Sequence, residues 1–141
     1  MEVSDVRRRI RAAIDGARVR AAERRASADD ASLAYDQFLE ATAVPAFHTV
    51  VNALTGEGHR FKVITPGRAV RMSPERTAED FIELSLDTAG DAPQVICHTS
   101  RARGGHVVEA ELVVGSGAPD SITDQDLLAF LLKELEPYVE R

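Results

Sequence analysis

The chain has 141 residues, 44% of them apolar and 28% charged, and a net charge of −6. That size and balance describe one globular domain rather than a disordered chain, and folding at this length removes roughly 68–70% of the unfolded surface from water. A single cysteine, Cys97, excludes an internal disulfide and a thiol-based zinc site, and no window reaches the ~18–20 continuous apolar residues of a membrane helix.

The opening segment MEVSDVRRRIRAA lacks the apolar stretch of a signal peptide, so the expected compartment is the cytoplasm and no membrane partner is expected. Arg7 to Arg25 holds eight Arg against Asp15 and Glu23, a balance of +6. The remainder must then carry −12 to reach the net −6. Ser4 is the expected N-cap, with Asp5 in the first turn. From there Val6, Ile10, Ile14, Ala17, Ala21, Ala28, Ala31, Tyr35, Leu39 and Thr42 recur at helical spacing. Gly16 and Ser27 to Asp30 are the weak points. Unbroken, such a helix is about 57–60 Å long at 1.5 Å per residue. A 141-residue globule, with a gyration radius of roughly 14–15 Å, cannot cover it. Part of it should project or pack on another chain.

Pro45 fits the first turn of a second helix with Phe47, Val50, Val51 and Leu54 on one face, stopped at Gly56 and Gly58. The period then changes to two. Strands are expected at 59–65 and 68–73 around the turn Pro66-Gly67, and at 81–88, where Ile82, Leu84 and Leu86 oppose Glu83, Ser85 and Asp87. Gly90 to Pro93 reads as a turn. A further pair at 94–100 and 106–114 flanks the loop Arg101 to Gly105, with Val108, Ala110, Leu112 and Val114 on one face. After a loop over 115–121, Thr123 and Asp126 open a capped helix carrying Leu127, Leu128, Leu131, Leu132, Leu135 and Tyr138. Pro137 should end or kink it.

The most distinctive string is His98-Thr-Ser-Arg-Ala-Arg-Gly-Gly-His106. Ser100, Arg101, Arg103, Gly104, Gly105 and His106 are the candidate ligand-binding residues, since paired Arg beside two glycines suits a phosphate or carboxylate. The competing reading is a hairpin end with solvated Arg. His98 and His106 lack a third ligand at a diagnostic spacing, so no metal is expected, and nothing calls for a cofactor. Glu83 and Glu109 are conceivable acid/base partners, but with Lys62, Arg71 and Glu111 they read better as cross-strand charges on a wet face. Cys97 alternates into the core, away from His98. No catalytic residues are assigned. Arg7, Arg11, Arg18 and Arg25 share one side of the first helix and are the candidate nucleic-acid contacts, without aromatics for stacking.

The stretch GEGHRFKVITPGRAVRMSPERTAEDFIELSLDT, together with HTSRARGG and FLLKELEPYVER, resembles a family of short bacterial proteins without an assigned activity. The resemblance covers Phe47 to Arg141. It implies that the sheet and the C-terminal helix form a shared module, and it carries over no catalytic residue.

The expected fold is α+β: a long N-terminal helix, a second shorter helix, a mostly antiparallel sheet of about five strands, and a C-terminal helix packed on it. Residues 1–44 form an oligomerisation segment and 45–141 an α+β domain. The expected role is a non-enzymatic homodimer that holds a protein partner, in the manner of an adaptor or chaperone. The alternatives are an anionic-ligand binder and a nucleic-acid-associated protein.

Overall fold

A computed structural model describes residues 2–90 and 92–140. Its first feature is a helical rod in three segments: α1, Val3–Phe38, a five-residue π turn, Leu39–Ala43, and α2, Val44–Gly56. At 1.5 Å per residue the rod is about 80 Å long. Ser4 is not its cap. Glu2 holds that place with no side-chain cap bond, and Asp5 supplies the negative charge of the first turn. Neither Gly16 nor Ser27 to Asp30 breaks the helix.

Pro45 lies in the first turn of α2 as expected, with Phe47, Val50, Val51 and Leu54 buried on one face, but no break separates α2 from α1. The proline has no N–H to give, and its ring crowds the carbonyl four residues back. The backbone answers by widening just upstream, where the Val44 N–H reaches the carbonyl of Leu39. A π turn of this kind relieves the crowding without a break, so the helix continues into α2.

The second layer is a five-stranded antiparallel meander, ordered β1-β2-β3-β4-β5. The strands are β1, Phe61–Ile64; β2, Val70–Pro74; β3, Phe81–Asp87; β4, Gln94–Arg103; and β5, His106–Val113. Alternation sorts their side chains. Phe61, Val70, Met72, Ile82, Leu84, Val95 and Cys97 point to one face and are buried. They pack against Tyr35, Phe38, Phe47, Val50 and Leu54 of the rod and Leu127, Leu131 and Leu135 of α3, Asp124–Val139. The α+β reading and the antiparallel sheet are thus the observed fold.

Two local devices hold this core in register. Thr123 and Asp126 form the expected capping box at the start of α3. Between β5 and α3 the chain turns sharply at Gly117, whose φ of +85° an L side chain resists; a Cβ there would stand 3.1 Å from Val113 Cγ1. Pro137 neither ends nor stops α3, which runs on to Val139. The proline lies in the last turn, where only one intrahelical bond is lost. The Tyr138 hydroxyl beyond it is anchored 2.9 Å from the carbonyls of Phe81 and Ser100.

Leu84 and Leu131 sit on facing layers with almost no exposure. Replacing either by Ala should cost about 2–5 kcal/mol in denaturant unfolding. A loss under about 1 kcal/mol would mean that the site collapses around the deletion or lies outside the cooperative core.

Candidate functional site

The β4–β5 hairpin was the leading sequence candidate. Its connection is not the five-residue loop expected over 101–105 but a two-residue turn. Gly104 and Gly105 take φ of 57° and 83°, as a tight hairpin of this twist requires, and Arg103 pairs directly with His106. Arg101 and Arg103 are therefore strand residues. With His106, they lie on the inner side of the sheet, in line with Cys97. Ser100 points to the outer side, where it is buried opposite Phe81. The six candidates thus do not form one cradle. His98 and His106 likewise fall on opposite faces. Among the described residues no three His, Cys, Asp or Glu side chains come together to hold a metal.

What the hairpin does border is a polar cleft at the end of the sheet. Asp80, just before β3, accepts the Ala102 N–H through Oδ1 at 2.8 Å, which holds the overhanging end of β4. Asp80 and Tyr138 form a wall shared by two depressions. One, of about 550 Å³, is lined by His59, Arg60, Glu75, Arg76 and Thr77. The other, of about 420 Å³, is lined by Arg101, Arg103, Pro137 and Glu140. Each Arg pair has carboxylates beside it, so neither depression is a simple anion trap. Every buried side-chain polar atom among the described residues has a hydrogen-bond partner. Burial, reinforced by the Asp80 charge, pushes the Tyr138 hydroxyl far above its ordinary pKa, so it stays a protonated anchor and not a base.

The outer sheet face carries the expected charge lattice in part. Arg71 donates to Glu83 at 3.0 Å, and its guanidinium lies 3.9 Å over the Phe81 ring. His98 meets the same ring edge-on, 5.2 Å between centroids, and its Nε2 lies 3.4 Å from Glu109 Oε1. Glu83 and Glu109 are each engaged by a different partner, on strands separated by β4, and do not form an acid/base pair. Phe81 is the residue that the sequence reading passed over. Its parity with Glu83 was the available signal, since it places the aromatic ring on the outer face, paired in register with Ser100.

Cys97 is buried in the core as expected. Burial pushes its thiol up to about 12, so the nucleophilic thiolate is withheld. Tyr35 is raised to about 12 by the same cause. The four candidate nucleic-acid residues, Arg7, Arg11, Arg18 and Arg25, are exposed along the part of α1 that leaves the globule.

The most unexpected surface is β5. Alternation places Val108, Ala110 and Leu112 on the inner side, but no helix covers them. Val107, Val108, Leu112 and Val113 are between 39% and 58% exposed. No family model, curated protein or solved structure matches the chain.

Two measurements follow from this geometry. Replacing Arg101 and Arg103 together by Ala should change stability by less than ~0.5 kcal/mol, because their surroundings are solvated strand positions; a larger loss would reveal a structural ion pair. Tyr35, Cys97 and Tyr138 all have raised pKa values in the fold. Below about pH 8 all three are protonated in both states and contribute no pH dependence. From about pH 9 upward the unfolded chain loses these protons first, so stability should fall by up to ~1.4 kcal/mol per pH unit for each group. Urea midpoints between pH 8 and 11 check this, and a flat profile would contradict it.

Proposed function

We propose that this chain is a non-enzymatic interaction protein that homodimerises through α1 and presents its sheet to a protein partner. The observation that supports it is the mismatch between rod and globule. The rod is fixed to the sheet near Tyr35. There the tyrosine hydroxyl donates to the carbonyl of Arg68 at 2.7 Å, and the Arg68 side chain bonds back to Ser32 and Asp36. The stretch before Ala28 has no residue that the fold buries.

Its apolar side nevertheless continues the buried side. Val3, Ile10, Ile14, Ala17, Ala21 and Ala28 fall on one stripe of a 100° wheel that runs into Tyr35 and Leu39. Val3, Ile10 and Ile14 are between 45% and 73% exposed. Most helical stability in proteins comes from packing of an apolar face, and Ala along the middle of this stripe permits close approach of a second helix. Pairing two copies along this stripe gives the chain a reason to keep it.

The exposed Arg7, Arg11, Arg18 and Arg25 favour nucleic acid as the second reading. The acidic remainder of the chain weighs against it, as does the burial of both aromatics of α1, Tyr35 and Phe38, in the core.

Light scattering at high micromolar concentration should return twice the chain mass. The double change Ile10→Glu and Ile14→Glu should return a monomer with the same denaturant midpoint for the core. A wild-type monomer at that concentration would contradict the dimer, and duplex DNA bound with a steep salt dependence would favour the second reading.

A further inference from the structure

We infer that the free edge of β5 is a docking edge for an extended segment in which aliphatic and basic residues alternate. The inference rests on the interaction reading above but not on the pairing of α1. β5 is the last strand of the meander, so one side of its backbone has no neighbour. Arg103 and His106 close the two-residue turn and exchange both hydrogen bonds. Antiparallel alternation then turns the N–H and C=O groups of Val107, Glu109, Glu111 and Val113 outward. Four residues in step, over an unbroken register, make a template for one more strand.

Natural sheets protect such an edge with charged side chains, Pro, a bulge or a covering loop, and of these β5 has only the charges of Glu109 and Glu111. β5 has no Pro or Lys in HVVEAELV, its pairing with β4 has no bulge, and all eight of its residues are exposed. Both faces specify what fits. On the inner side Val108, Ala110 and Leu112 continue the apolar face past the end of the helical layer. On the outer side stand Glu109 and Glu111, of which Glu109 is shared with His98 and Glu111 makes no ion pair among the described residues.

A second copy of β5 is a poor occupant. A two-fold register centred on Ala110 sets each Glu109 against a Glu111. Registers centred on Glu109 or Glu111 set a carboxylate against its own copy, and those centred on Val108 or Leu112, which avoid this, leave part of the eight-residue strand unpaired. Like charges directly opposite destabilise a ladder. A strand with Lys or Arg at those places reverses the sign, and its alternate aliphatic residues land beside Val108 and Leu112. Main-chain bonds then supply affinity and the side-chain alternation supplies selectivity.

The test uses the full chain and three labelled peptides read by fluorescence anisotropy: alternating Val and Arg, the same residues in two blocks, and alternating Val and Glu. The alternating Val–Arg peptide should bind at least about tenfold tighter than either other peptide. On binding it should slow hydrogen exchange at the amides of Val107, Glu109, Glu111 and Val113. Glu109→Lys with Glu111→Lys should weaken it by about tenfold or more. Glu111→Pro, which removes an outward N–H while sparing the bonds to β4, should weaken it as well. If the proline variant unfolds, the double Lys variant still decides. Equal binding of the block peptide, or binding unchanged by the double Lys variant, would overturn the proposal by reducing it to diffuse charge. Retained peptide binding in the Ile10→Glu, Ile14→Glu monomer separates this edge from the dimer, so that either can fail alone.

Discussion

The helical layer is offset from the sheet it covers, and the rest of the structure depends on that offset. The sheet needs apolar cover on one face, and it receives it from the end of α1, from α2 and from α3. Those segments bury Phe61, Val70, Met72, Ile82, Leu84, Val95 and Cys97 and stop before β5. At the other end the rod overshoots. Its docking at Tyr35, Arg68, Ser32 and Asp36 fixes where α1 leaves the globule, and residues before Ala28 extend beyond it. One offset layer therefore creates two unpartnered apolar surfaces, a helix stripe and a strand edge.

Much of this was legible in the sequence because local rules and tertiary demand agree. Ile82, Leu84 and Leu86 alternate with polar residues, and they form a strand with one buried side. Thr123 with Asp126 announced α3, and Gly104-Gly105 could serve a tight hairpin as readily as an anion cradle. Where the reading failed, the deciding term was not local. Pro45 opens the first turn of α2, but a π turn at Leu39–Ala43, not a break, joins it to α1. Pro137 looks like a stop, but Tyr138 has buried carbonyls to reach. Ser4 was a reasonable cap, yet the exposed helix end forms two residues earlier without any cap bond.

The candidate site shows the same division. Alternation assigned Val108, Ala110 and Leu112 to the inner face, and the register agrees. It could not say how far the helices extend across that face, because cover depends on rod direction and strand order together. The Arg101–His106 candidates were judged on composition, while their placement depended on turn length. A two-residue turn sends Ser100 to one side and both Arg to the other. Phe81 was hidden by its position at a strand end, where an aromatic ring usually marks the core.

Both open surfaces, the stripe on α1 and the edge of β5, are the ones the proposed interaction role would use. The stripe on α1 bears most on that account, since a helix without a partner has little reason to stay folded so far from its core. Amide hydrogen exchange along residues 6–24, followed as a function of protein concentration, addresses this directly. The account predicts protection at high micromolar concentration that is lost on dilution, while the amides of β3 and α3 stay protected throughout. Rapid exchange along this stretch at every concentration would contradict it.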